Sequence, residues 1–329
     1  MGRKKIEETS LIPMDNSIKE LFDLEVKAEK KKQIGYIPSF FTTASLPFKN
    51  VHKTTFVRKG SNGLTLTLTS PKNVPFGKYG RLLLSILTTH AVIQKNSDLP
   101  VSIEYKSMSD LLRELQLPKQ RGKDIREQLD CFTGAAFVFE QRVEELKAGY
   151  LFKDLYKEGE YPKSDVSVRT VSTGSIRFTA GVQYKEVTNL ELNDNKVGYF
   201  KIILSDEFAT FCQRHAVPID YSVYKEIESP IGKDLYAWLI YRNHSIKEPV
   251  FIPRSKLVEQ FMPLDKDSGA NGLNKHYYHI VEILKDIKER YYKELNLDIN
   301  KDGSGITLRK SPTPVIENDP RYALITTDI

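Results

Sequence analysis

The stretch from Ser229 to Phe261, SPIGKDLYAWLIYRNHSIKEPVFIPRSKLVEQF, most constrains how this chain can fold. Ser229 is a natural N-cap, and Pro230 stands at the first helical position, where its missing N–H has no intrahelical partner to lose. Ile231, Leu235, Trp238 and Leu239 follow at i, i+4, i+7 and i+8, an apolar stripe that predicts a core helix with Trp238 inside. From Glu248, Val250 and Ile252 alternate with Phe251 until Pro253, which permits only a short strand. A second helix buries Leu257, Val258 and Phe261 and ends in the turn-rich MPLDKDSGANG. A third, roughly Asn274 to Lys293, repeats Tyr277, Ile280, Val281, Leu284, Ile287 and Tyr291 at helical spacing. Leu295, Leu297 and Ile299, then Ile306 and Leu308, alternate on either side of Asp302-Gly303-Ser304-Gly305, a hairpin turn signal. Helix, strand, helix, helix, hairpin is the order of the winged helix-turn-helix, whose third helix enters the DNA major groove by its N-terminal residues.

The same order is expected upstream, without similarity of sequence. A hairpin is predicted where HKTTFVRKG and LTLTLTS flank Gly60-Ser61-Asn62-Gly63. A helix from Gly77 carries Tyr79, Leu83, Ile86, Leu87 and Ala91, and the short strand VSIEY follows it. Ser107 and Asp110, in capping-box spacing, open a helix that buries Leu111, Leu112 and Leu115. After LPKQRG comes a third helix with Ile125, Leu129 and Phe132, and then AAFVFEQRV as a wing strand. The expectation is an α+β chain of two tandem winged-helix domains. An N-terminal helical extension spans 1–50, with an amphipathic segment from Ile18 to Lys32. The first winged-helix domain covers 51–204, with an enlarged wing or linker insertion at 143–175; the second covers 205–312, and a Pro-rich flexible tail covers 313–329.

With 329 residues the chain has room for about two domains. No apolar run approaches the roughly 18 residues of a membrane span, and MGRKKIEETS leads into no signal-peptide core, so no membrane association and a cytoplasmic location are expected. Cys131 and Cys212 lie in apolar helical contexts and read as small buried hydrophobes, not as disulfide or zinc ligands. The net charge of +6 favours polyanionic partners, and the excess of Lys and Arg over Asp and Glu lies in the first 200 residues.

Position within the expected motif selects the DNA-contact residues. Lys119, Arg121, Lys123 and Arg126 cluster at the turn and first helical turn where a helix-turn-helix meets phosphates and base edges. In the C-terminal unit Asn274, Lys275, Tyr278 and His279 open the third helix, where Asn can pair with adenine and Lys with guanine. Arg254, Lys256, Arg309 and Lys310 read as phosphate contacts, which fix register without reading sequence. His276, His279 and Glu282 share a helix turn, but the spacing is not HExxH and no fourth ligand follows, so no metal site is expected. A His-hydrophobic-His pair and the Walker pattern GxxxxGK[ST] are both absent, which argues against a metal-dependent nicking enzyme and an ATPase; neither catalysis nor a cofactor is expected.

In several segments the chain resembles plasmid replication initiators of the RepA type. They include Phe76-Gly77-Lys78-Tyr79-Gly80-Arg81-Leu82-Leu83-Leu84, Thr89-His90-Ala91-Val92, Ser109-Asp110-Leu111-Leu112-Arg113-Glu114-Leu115, Val217-Pro218-Ile219-Asp220 and Asp234-Leu235-Tyr236-Ala237-Trp238-Leu239-Ile240-Tyr241-Arg242, in order over roughly 75–310. His90 departs from the family pattern, which tends to Glu there. The resemblance implies two winged-helix domains that bind repeated sites (iterons) in double-stranded origin DNA. It further implies opening of an adjacent AT-rich region, recruitment of host initiator and helicase proteins, and a homodimeric form that represses its own promoter. The alternatives are a sequence-specific autorepressor without initiator activity and, less favoured, a metal-dependent DNA-nicking relaxase.

Overall fold

The computed structural model describes residues 32–60, 63–95, 100–148, 165–189, 194–263, 269–315 and 322–324. The helix expected before Lys32 lies outside them. The fold is α+β; among the described residues the strands form one four-stranded and three three-stranded sheets.

The chain opens with β1 (Lys32–Pro38) and the short α1 (Ser39–Thr43), so the described part of the expected helical extension is largely extended. The hairpin predicted around Gly60–Gly63 is present as β2 (Thr55–Lys59) and β3 (Leu64–Thr69). Gly63 has φ +70°, and a Cβ there would stand 2.1 Å from the Arg142 carbonyl oxygen, so the turn accepts only glycine. The helix α2 (Gly77–Ile93) leads to β4 (Ser102–Tyr105) and α3 (Met108–Glu114). The Ser107 hydroxyl accepts from the Asp110 backbone N–H at 3.3 Å, the cap its spacing predicts. A 3-10 turn, Lys119–Arg121, and α4 (Gly122–Phe132) complete the first helical set.

The wing strand expected at 135–143 is placed differently. It is part of β5 (Ala136–Ala148), which pairs with β3 and with β6 (Asp165–Arg177), not with β4. Pattern explains the choice: Phe137 and Phe139 stand opposite Leu68 and Leu66, so two alternating apolar strands share one buried face. Most of the segment expected as an enlarged loop is therefore a long hairpin, in register from Ala136↔Arg177 to Ala148↔Asp165; residues 149–164 are outside the described set. The partner of β4 is β8 (Asp194–Leu204), itself paired with β7 (Thr179–Asn189), giving the order β4-β8-β7.

After Ser205 caps α5 (Asp206–His215), the chain runs through β9 (Ala216–Asp220), α6 (Tyr221–Glu226) and α7 (Pro230–Ser245). The Ser229 hydroxyl caps α7 by accepting from the Gly232 N–H at 3.3 Å. Then come β10 (Val250–Pro253), α8 (Arg254–Phe261) and α9 (Gly269–Asp286), which passes into a π turn at Ile287–Tyr291. The expected hairpin is β11 (Leu297–Ile299) with β12 (Gly305–Leu308), and the sheet order is β10-β12-β11. Both units thus pair the strand after their long first helix with their last strand, and place the penultimate strand outside it. In the first unit the β5–β6 hairpin is inserted between third helix and final hairpin.

The boundary expected at 204/205 falls between β8 and α5, yet packing crosses it. One apolar cluster runs from Leu83 and Leu87 through Phe178 and Phe208 to Trp238, Phe261 and Leu284. Within α7, Ile231 to Ile240 are all buried, including Lys233 and Asp234, so the helix is enclosed on all sides and the apolar stripe read from its sequence is only part of its contact surface. β1 pairs antiparallel with β9 and parallel with β13 (Tyr322–Leu324), and Val315 is buried against Ile34 and Tyr36. The tail expected to be flexible therefore contributes a strand, because β1 has a free edge to offer it. No described helix is long and apolar enough to cross a membrane.

Candidate nucleic-acid interface

In the first unit α4 buries Ile125, Leu129 and Phe132, and Gln128 is held inside by accepting from the Phe76 N–H at 2.9 Å. The opposite side of the turn and helix therefore faces solvent, with Lys119, Arg121 and Lys123 exposed. Among the described residues Lys119 and Lys123 have no hydrogen-bond or ion-pair partner. Arg121 is shared between the Asp124 carboxylate at 3.4 Å and the Tyr79 ring at 5.8 Å. Arg126 lies half-buried with its guanidinium 5.5 Å from the ring of Tyr184 on β7, which is 54% exposed. Its position links the third helix to the final hairpin, a contact for which the sequence carries no local signal.

In the second unit α8 and α9 pack so that Arg254 donates to the Asn274 side-chain oxygen at 3.0 Å. The expected phosphate contact and the expected base reader are thus one hydrogen-bonded pair, and Asn274 keeps its amide N–H groups for another acceptor. Lys256 pairs with Glu259 at 3.0 Å on the same helix. Lys275, Tyr278 and His279 lie exposed on α9, with His279 3.9 Å from Glu282. Tyr278 is 59% exposed, and its hydroxyl lies 3.7 Å from where a Cβ on Gly303 would stand, so it reaches the hairpin tip. His276 is turned inward to the Met262 carbonyl at 2.9 Å, apart from His279.

The other two expected phosphate contacts, Arg309 and Lys310, also have intramolecular partners. Lys310 donates to the carbonyls of Asn243 at 2.7 Å and His244 at 3.4 Å, closing the C-terminal end of α7 where a cation complements the helix dipole. Arg309 pairs with Asp298 across the hairpin and holds that carboxylate below its usual range. Of the cations expected to contact DNA, those with no partner among the described residues are therefore Lys119 and Lys123 in the first unit and Lys275 in the second.

Among the described residues no cluster of three or more His, Cys, Asp or Glu side chains could hold a metal ion. Cys131 and Cys212 are both buried; burial pushes the Cys131 thiol up to about 11 and that of Cys212 higher still, which leaves neither as a nucleophile.

No family model and no curated protein matches the sequence. A crystal structure of domains 2 and 3 of RctB, from a selenomethionine derivative, is similar over 83% of this chain and 96% of its own, at 12% identity and a TM-score of 0.45. A second crystal structure of RctB domains 2-3 is similar over 82% of this chain and 94% of its own, at 10% identity and a TM-score of 0.39.

Proposed function

We propose that the chain binds double-stranded DNA through two units of the winged helix-turn-helix type and acts as the replication initiator of a plasmid, at repeated sites in its origin. The observation that carries the DNA-binding part is the repeated sheet order, β4-β8-β7 and β10-β12-β11, each set beside a third helix with an exposed polar start. Basic side chains at the start of α4 and the Lys275-Tyr278-His279 face of α9 are the groups such a helix presents to a major groove. Two linked units raise affinity through effective concentration without new contacts.

Fold alone does not select initiation from the many functions of winged helices. The narrower assignment is supported by the RepA-type segments, which supply Arg81 and Asp234, two residues that meet in the core. An initiator of this type recruits host initiator and helicase proteins and acts without cleaving DNA, with a dimeric form repressing its own promoter. A plasmid carrying the cognate origin, in a cell lacking every other initiator for it, tests this directly. Replication dependent on the gene supports initiation, whereas promoter repression without replication leaves an autorepressor. Nicked product from supercoiled origin DNA in Mg²⁺ or Mn²⁺ would make the protein a relaxase.

A further inference from the structure

Asn274, near the start of α9, is tied to α8 by the Arg254 guanidinium, which donates to its side-chain oxygen at 3.0 Å. An arginine side chain has N–H donors and no acceptor, so only the oxygen of the amide can face it, and the amide nitrogen must face another way. The chain around this pair is pinned as well. The Arg254 backbone N–H donates to the Ser304 carbonyl at 2.9 Å, and His276 Nδ1 donates to the Met262 carbonyl at 2.9 Å. The buried Tyr277 hydroxyl donates to the Gly305 carbonyl at 2.8 Å. These bonds hold α9 against the two ends of α8 and against the β11–β12 hairpin, so the Asn274 amide is presented in one orientation.

What the pair offers a duplex is therefore N–H groups, those of the Asn274 amide and those of the guanidinium not spent on it. Guanine shows two acceptors in the major groove, N7 and O6, whereas adenine shows N7 beside an amino donor; thymine shows O4 alone and cytosine an amino donor. Asn suits adenine because its oxygen accepts from the amino group while its nitrogen donates to N7. Here that oxygen already accepts from a cation, and the adenine amino group would meet guanidinium N–H groups beside it. Guanine meets a donor at each of its two acceptors. Cytosine finds no carboxylate to donate to, since 269–281 contains no Asp or Glu and the Asp302 carboxylate at the hairpin tip accepts from the Ser304 N–H at 2.9 Å. We infer that the Arg254–Asn274 pair reads guanine, not the adenine that Asn274 alone would suit, with Arg254 as a positioning residue that sets which way the amide faces. The inference rests on the proposed function, in which α9 enters a major groove, and names the base that its start selects.

The test selects duplexes from a pool with a randomised segment, using the full chain as native protein, as Asn274→Ala and as Arg254→Ala. The position at which Asn274→Ala erases a preference is the one that Asn274 reads. Native protein is expected to select guanine there. Arg254→Ala, which frees the amide oxygen, is expected to change that preference to adenine and to leave the other positions as they were. Replacing the guanine by 7-deazaguanine, which lacks the N7 acceptor, is expected to lower native affinity by about tenfold. A merely structural role for Arg254 would weaken binding to every sequence without exchanging one base for another. If thermal unfolding shows that Arg254→Ala does not fold, the Asn274→Ala and 7-deazaguanine results decide. Adenine at that position for native protein, guanine retained by folded Arg254→Ala, no position altered by Asn274→Ala, or full affinity for the 7-deazaguanine duplex would each overturn the inference and leave duplex binding standing. Failure of native protein to retain any sequence above the rest of the pool would overturn the proposed function, and this inference with it.

Discussion

The Arg81 guanidinium grips the Asp234 carboxylate through two hydrogen bonds, Nε to Oδ1 at 2.7 Å and Nη2 to Oδ2 at 2.7 Å, and so ties α2 to α7. Both side chains are buried, at 2% and 5% exposure. The remaining Arg81 donors reach the carbonyls of Leu46, Pro47 and Gly77, so the guanidinium is fully satisfied. Removing one member leaves a buried uncompensated charge. Asp234→Ala is expected to cost about 3–5 kcal/mol in urea unfolding, and a double replacement by apolar residues of similar volume to recover much of it. Equal losses for the single and double variants would mean that the pair does not couple the two helices.

Lys233 sits beside this pair, fully buried, with its ammonium on the Tyr224 and Lys225 carbonyls at the end of α6. Burial lowers its pKa from 10.5 to about 7. Between those values the native protein holds fewer protons than the unfolded chain, so stability rises with pH from about 7 to about 10.5, by at most about 1.4 kcal/mol per pH unit. Below about 7 both states are protonated and the cost of burying the charge is complete. Lys233→Met should flatten the stability–pH curve in this window relative to native protein, and identical slopes would place the ammonium in water.

How much of this was legible in the sequence depends on how local each cause is. Ser107 and Ser229 announce helix starts because a cap bonds only a few residues on, and Gly303 marks its hairpin because the turn needs φ > 0. The partner of Ser102–Tyr105 was not legible: Ser102 pairs with Ile203, at the far end of the first unit, while the nearer strand at Ala136 fits β3 better. The burial of Arg81, Lys233 and Asp234 was not legible, since charged residues are seldom buried without a partner and a sequence does not show that each will find one inside. That the basic turn at Lys119–Lys123 is exposed was legible from its place before the third helix, whereas the partners of Arg254 and Lys310 depend on contacts 20 and 67 residues away.

Trp238 is 2% exposed and meets the Phe261 ring edge-on at 5.2 Å. Trp238→Ala is expected to destabilise by about 3–5 kcal/mol in denaturant unfolding, as a large-to-small change in a packed core. A variant as stable as native protein would remove Trp238 from the core.

Lys119 and Lys123 have the exposure and freedom to meet phosphates, and Lys310 does not. Alanine at Lys119 and Lys123 together should weaken duplex binding by about tenfold or more and make the salt slope shallower by about two. Alanine at Lys310 should lower thermal stability and leave the slope unchanged. Alanine at Lys30 and Lys31 should weaken binding less than the change in α4. A reversed order in filter binding would move the interface away from α4.

Footprinting on the DNA that flanks the gene tests most directly whether two linked helices read one duplex. Protected segments that repeat at a spacing of about one helical turn, and that Lys119→Ala with Lys123→Ala abolishes, are the result expected of tandem reading units at an origin. Uniform or absent protection at concentrations where the protein binds that DNA would contradict it.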